Sequence, residues 1–284
     1  MDPWCEDVRK EGTGFHTLIG EPDPLRSVRW RCECVLDNLE RLLQNTQGPT
    51  PPRDRDFCLS REYPGKEPLA EEATWERAMW RRWGPPGNGA PFLPICPRLQ
   101  TYQYPIKRVR DDAGWGRIDL LGVSPDYRPV VVELKRGESN DTVLRMLLEM
   151  VAYGIALRNV WPELRAPHWE TAIREAWQHE APPPEDLGRV TLIGVAPPRY
   201  WARAQGADPT DPTGHVPEDA WRPFCELVAE VSRRCDFSIH FARVDEGPSG
   251  AGDVGILNDG DPPPPFEGHP QPVRADVIPL CPGR

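Results

Sequence analysis

The chain lacks any apolar run approaching the ~20 residues that a membrane-spanning helix requires. It carries no secretory or transit pattern, so reduced thiols in a cytoplasmic setting are expected. Its eight cysteines lack zinc-ribbon spacing: Cys32 and Cys34 stand one residue apart, and no second pair follows. The six histidines are scattered, with His215, His240 and His269 in different segments, so a structural zinc framework is not expected. No internal repeat occurs, which excludes solenoids and propellers. Positive charge is also scarce, with 34 Lys and Arg against 44 Asp and Glu and a formal net charge of −10. That balance excludes a uniformly basic, phosphate-binding surface. The deficit is uneven, however. From Arg98 to Arg136 there are eight basic residues against five acids, whereas 245–284 holds seven acids and two arginines.

What the chain does contain is concentrated between Trp115 and Lys135. This stretch reads Trp-Gly-Arg-Ile-Asp-Leu-Leu-Gly-Val-Ser-Pro-Asp-Tyr-Arg-Pro-Val-Val-Val-Glu-Leu-Lys, two short apolar strands joined by a Pro-Asp turn. Ile118 to Leu121 and Val130 to Val132 are near-continuous apolar runs, as in strands buried on both faces. Asp119, Glu133 and Lys135 nevertheless put charges into them. Burying an uncompensated carboxylate is expensive. Side chains two apart on a strand share a face, so Glu133 and Lys135 project together. Asp119 lies on the preceding strand, where cross-strand neighbours come within about 5 Å. Two carboxylates converging beside a lysine are naturally compensated by a hard divalent cation bound through oxygen. A solvated surface hairpin with a Glu-Lys pair is the bland alternative, and the apolar runs argue against it. The expected chemistry is metal-assisted hydrolysis.

With Glu133-Leu134-Lys135 fourteen residues after Asp119, the chain resembles the PD-(D/E)xK nuclease superfamily, which has the restriction-endonuclease-like fold. The lead-in Gly116-Arg117-x-Asp119-Leu-Leu and the strand Val-Val-Glu-Leu-Lys-Arg resemble the branch of mismatch- and flap-cutting endonucleases. The resemblance covers roughly residues 68 to 243 and implies a Mg²⁺- or Mn²⁺-dependent deoxyribonuclease. It implies that Asp119 and Glu133 hold the metal with the carbonyl of Leu134, and that Lys135 orients or activates the attacking water. DNA is the implied substrate ahead of RNA, in a defence or repair setting.

Two helices extend this pattern. From Asp141 to Trp161, Val143, Leu144, Leu147, Leu148, Val151, Ile155 and Leu157 fall largely at helical spacing, after an Asn140/Asp141 cap candidate. Relatives carry Gln-x-x-x-Tyr here; the matching residues are Glu149 and Tyr153, one turn apart. Glu149 is either a further metal-side carboxylate or the partner of Arg145 at i−4. Upstream, 68–83 reads as a helix with Pro at its start and a Gly84-Pro-Pro-Gly stop. Glu72-Ala-Thr-Trp-Glu76 resembles the helix that supplies relatives with another acid, with Glu72 the better candidate and Glu76 the second. Solvent-facing helix charges are the alternative for both.

The element order is helix 69–83, strands 97–109, 116–123 and 129–135, helix 141–159, a candidate helix 169–178, strand 189–196, helix 217–233 and strand 236–243. This αβββαβ order predicts an α/β fold, a mixed sheet flanked by helices. Residues 1–66 form an N-terminal extension with an amphipathic helix near Leu25–Leu43, 67–245 the nuclease-like domain, and 246–284 a Pro-rich acidic tail of low expected order.

Lys107, Arg108, Arg110 and Arg136 are candidate phosphate contacts, with solvated strand-end charges the alternative. Trp115 is the candidate base-stacking aromatic and Arg117 an additional site residue. Most of the eleven tryptophans are expected in the core. No membrane contact is expected; the N-terminal helix and acidic tail are candidate docking elements for a homodimer or larger complex. A nuclease fold without catalysis, binding nucleic acid or serving as an accessory subunit, is the competing expectation.

Overall fold

The computed structural model describes residues 71–85, 91–105, 117–139, 141–177, 184–204, 218–246 and 272–278. Helix α1 is Glu71–Trp83 and is followed by strands β1, Arg98–Pro105, β2, Arg117–Val123, and β3, Pro129–Leu134. Helix α2, Val143–Leu164, runs through a π-helical turn, Arg165–Glu170, into α3, Thr171–Trp177. Then come β4, Val190–Ala196, α4, Pro198–Ala204, α5, Glu218–Cys235, β5, Phe237–Glu246, and β6, Pro272–Ile278.

The strands form one six-stranded sheet in chain order, β1 to β6. β1–β2, β2–β3 and β5–β6 are antiparallel, while β3–β4 and β4–β5 are parallel. The α/β class and the mixed sheet flanked by helices are therefore as expected. All six residues of β3 are buried, because helices cover both faces of the sheet there. Val131 belongs to the core under α2, α3, α4 and α5. Val130, Val132 and Leu134 belong to the opposite core, with Trp75, Met79 and Trp80 of α1. This alternation puts Glu133, two residues from Val131, on the α2 side.

Chain reversals have local causes. The Gly84 N–H closes α1 by donating to the Trp80 carbonyl at 2.6 Å. Between β2 and β3, Ser124 N–H donates to Arg128 O at 2.9 Å, and Tyr127 takes φ 63°. Buried Trp169 fixes that turn from the π-helical segment through Nε1 donating to Tyr127 O at 2.8 Å. Trp75, Trp80, Trp161, Trp169 and Trp201 are all buried, in line with the expected core role.

Three expectations are corrected. Asn140/Asp141 is not the cap of α2: Thr142 is, its hydroxyl accepting from Arg145 N at 3.2 Å. The expected strand 97–109 is present over Arg98–Pro105, and 106–109 lie outside the described residues. Helix α4 was not expected; Pro198 occupies its first position, where a missing N–H does no harm. Residues Pro272–Ile278 are a strand paired with β5 rather than loose tail. The rest of 247–284 and all of 1–66, including the helix expected near Leu25–Leu43, lie outside the described residues. No helix among the described residues is long and apolar enough to cross a membrane.

Candidate active site

The β2–β3 ladder pairs Leu120 with Val132 and stops there. Asp119 and Glu133 are the next residues along each strand, facing each other where pairing ends. In place of a further ladder bond, Asp119 Oδ2 accepts the Leu134 N–H at 2.8 Å. The end of the hairpin is thus closed by a side chain, with two carboxylates brought together.

Lys135 continues past β3, its backbone N–H bonded to Val195 O of β4 at 2.8 Å. Its Nζ donates to Glu133 Oε1 at 2.8 Å and to Glu149 Oε2 at 2.6 Å. It also lies 3.2 Å from Asp141 Oδ2. Arg145 completes the network, with Nε 3.1 Å from Glu149 Oε1 and a terminal nitrogen 3.0 Å from Asp141 Oδ1. Glu133, Lys135 and Glu149 are 2%, 4% and 2% exposed, so these charges interact with little screening by water.

Burial pushes the Glu133 carboxyl well above the usual range, and Asp119 adds to this against the pull of Lys135. Burial disfavours the charge on Lys135, but Glu133, Glu149, Asp119 and Asp141 outweigh it and hold the ammonium well above its ordinary value. Tyr153, one turn beyond Glu149, is pushed up by burial and then by Glu133 and Asp119. When ionised, Asp119, Glu133, Asp141 and Glu149 carry two more charges than Lys135 and Arg145 balance. Glu133 Oε2 is buried with no hydrogen-bond partner. An excess of negative charge and an unpartnered carboxylate oxygen suit a divalent cation. Among the described residues, no three Asp, Glu, His or Cys side chains form a metal-binding group by themselves. Magnesium does not require one, since one or two carboxylates completed by water and substrate oxygens suffice.

No protein-family model, curated protein or solved structure matches this chain. The site therefore rests on its own geometry. Of the expected residues, Asp119, Glu133, Lys135, Glu149 and Tyr153 converge. Glu149 bonds both Arg145 and Lys135. Glu76 is buried on α1, whose tryptophans pack on the opposite face of the sheet. Glu72 is placed by its backbone alone, in the first turn of that helix. Arg117 is exposed and donates to Gln103 Oε1 at 2.9 Å, pointing to β1 rather than to the cluster. Arg136 is half-buried and 3.6 Å from Glu138. Lys107, Arg108, Arg110 and Trp115 lie outside the described residues.

Asp141 and Tyr200 were missed as site residues. Asp141 had a signal, six residues after Lys135 at the mouth of a helix, but it was read as a cap. Tyr200 on α4 is fully buried with its hydroxyl unpartnered. Burial pushes that hydroxyl up, and the charges of Lys135, Asp141 and Glu149 all reach it. Nothing in its local sequence marks it.

Proposed function

We propose that the chain is a metal-dependent nuclease of the PD-(D/E)xK type, with a restriction-endonuclease-like core, hydrolysing phosphodiester bonds in DNA. The observation that carries this reading is the Lys135 ammonium 2.8 Å from Glu133 Oε1, beside an Asp119 carboxylate facing Glu133 at the end of the ladder. Asp119 and Glu133, with the Leu134 carbonyl, would hold Mg²⁺ or Mn²⁺, with water and substrate oxygens completing the set; Glu76, on the helix that packs the opposite face of the sheet, is not among the residues that converge here. Such an ion supplies Lewis-acid polarisation of a phosphoryl oxygen and a water of lowered pKa.

The chain's own residues do the rest. Lys135, kept charged by its carboxylates, orients the attacking water and stabilises negative charge growing on the phosphoryl oxygens. Glu149 and Asp141 hold that ammonium together with Glu133, and Arg145 holds Glu149 and Asp141. Val131, Val143 and Leu147 belong to the buried core on this face of the sheet, and the near-complete burial of Glu133, Lys135 and Glu149 strengthens each of these interactions. DNA as the substrate follows from the resemblance to the superfamily.

Cleavage of plasmid, linear duplex, single-stranded and flapped DNA with Mg²⁺ or Mn²⁺ tests the reading, beside Glu133→Ala and an EDTA control. Cutting that needs both metal and Glu133 supports it. Cutting that persists without Glu133 sinks it. A second reading, a nuclease-fold module without catalysis, is favoured by one observation: Lys135 is held by three carboxylates at once. A folded protein that neither cuts nor binds Mn²⁺ in calorimetry would establish that reading instead.

A further inference from the structure

Deepening the reading of Lys135 as a catalytic group, we propose that Arg203 is a positioning residue for it, acting through the loop between β3 and α2. Arg203 lies on α4 and is 1% exposed. One terminal nitrogen donates to Gly137 O at 3.0 Å, and the other donates to Ser139 O. A planar guanidinium thus grips two carbonyls of one short loop, a task that its rigid fork suits and a lysine does not. Ser139 then passes the constraint on. Its hydroxyl accepts the Asp141 N–H at 3.2 Å. Asp141 in turn holds Lys135 Nζ at 3.2 Å and Arg145 at 3.0 Å.

The chain of contact from Arg203 through Ser139 and Asp141 to Lys135 is continuous. The ring of Tyr200, one turn earlier on α4, supports the guanidinium at 5.5 Å. Arginine is seldom fully buried without a demanding partner, and here its partners are the backbone of the loop that carries Asp141. Asp141 is half-exposed and sits at a loop end, where a carboxylate would otherwise sample many positions. Fixing Ser139 on both its carbonyl and its hydroxyl removes that freedom.

The test is the Lys135 ammonium resonance in the isotope-labelled full chain. Four lysines occur in the sequence. An ammonium enclosed by carboxylates exchanges slowly with water and gives a sharp proton–nitrogen correlation at neutral pH, which Lys135→Met assigns by its loss. Arg203→Met and the milder Arg203→Lys should each retain a cooperative thermal transition and displace or broaden that resonance. Arg222→Ala, on the exposed side of α5, should leave it in place. In cleavage, Arg203→Met should lower kcat on the order of 100-fold with KM unchanged, as a small misplacement of a reacting group does. An unmoved resonance in folded Arg203→Met overturns the proposal, as does the lack of any such resonance in the wild-type chain. If Arg203→Met does not fold, an unmoved resonance in Arg203→Lys overturns it. A wild-type chain that cuts nothing, but whose resonance still responds to Arg203, retires the nuclease reading and leaves the positioning role standing.

Discussion

The Asp119 carboxylate accepts the Leu134 N–H at 2.8 Å, immediately past the last β2–β3 pair, Leu120↔Val132. Asp119 is therefore both a strand terminator and a candidate metal ligand, and two substitutions separate the roles. Asp119→Asn keeps an acceptor oxygen for Leu134 and loses the charge. It should unfold in urea close to the wild-type midpoint and fail to cut DNA. Asp119→Ala leaves the Leu134 N–H unsatisfied and should lose about 1–3 kcal/mol of stability as well. An asparagine variant that cuts at the wild-type rate would remove Asp119 from the chemistry.

Lys135 Nζ donates to Glu133 Oε1 at 2.8 Å, so it would compete with a divalent cation for that carboxylate. Lys135→Met should abolish cleavage and yet bind Mn²⁺ more tightly than wild type in calorimetry. Without metal, the same variant leaves Glu133 and Glu149 buried beside each other without their shared ammonium. Removing one partner of a buried ion pair destabilises by about 3–5 kcal/mol, so the metal-free melting temperature should fall and Mn²⁺ should restore part of it. Weaker Mn²⁺ binding in Lys135→Met would mean that the lysine supports the ion site rather than opposing it.

His240 on β5 sits 2.8 Å from Ser238 Oγ. Burial, followed by the charge of Arg189, holds its imidazole below the ordinary value. The unfolded chain then binds this proton more tightly than the folded one. The associated stability is present above about pH 6.5 and is lost as pH falls through that value toward the lower folded one. His240→Asn should flatten the decline in melting temperature between about pH 8 and pH 5. An equally steep decline in the variant would place the sensitivity elsewhere.

Cys96 is fully buried, and burial pushes its thiol up to about 12. Since the thiolate is the reactive form, Cys96 should resist alkylation at neutral pH in the native protein and react once it is unfolded, as peptide mass mapping would show. Its sulfur also fills the space beside Gly122: a methyl group there would stand 2.2 Å from Sγ and 3.3 Å from Arg98 O. Cysteine is too short to swing aside. Gly122→Ala should therefore lose about 1–3 kcal/mol through overpacking, and it should make Cys96 label faster.

The central residues of the site were legible because they break a rule. Charges at 119, 133 and 135 interrupt strands whose other residues demand burial, and alternation alone assigns their faces. Asp141 was less legible because Gly-Glu-Ser-Asn-Asp-Thr offers several cap candidates. The hydroxyl of Thr142 takes the capping role, which leaves the Asp141 carboxylate for Lys135. Arg203 was not legible at all. Its burial depends on a carbonyl 66 residues away, and locally it resembles any arginine on a solvated helix. Helix α4 is hidden by Pro197-Pro198, because a proline pair resembles a breaker although proline at a first helical position starts a helix well. β6 was hidden by its acidic, proline-rich surroundings. Strand formation follows from the partner edge more than from local preference, and that partner, β5, is not visible from residues 272–278 alone.

β6 has a practical bearing on how the protein should be handled. A version of the chain ended near residue 250, on the assumption that only loose tail follows, would strip β5 of its antiparallel neighbour. The backbone donors and acceptors that Phe241 to Glu246 direct at β6 would then face solvent as an unprotected border, the kind of surface that recruits strands from other molecules. Insolubility of such a shortened version would reflect that exposed border rather than a fault around Asp119, Glu133 and Lys135, and the safe place to end the chain lies after Ile278.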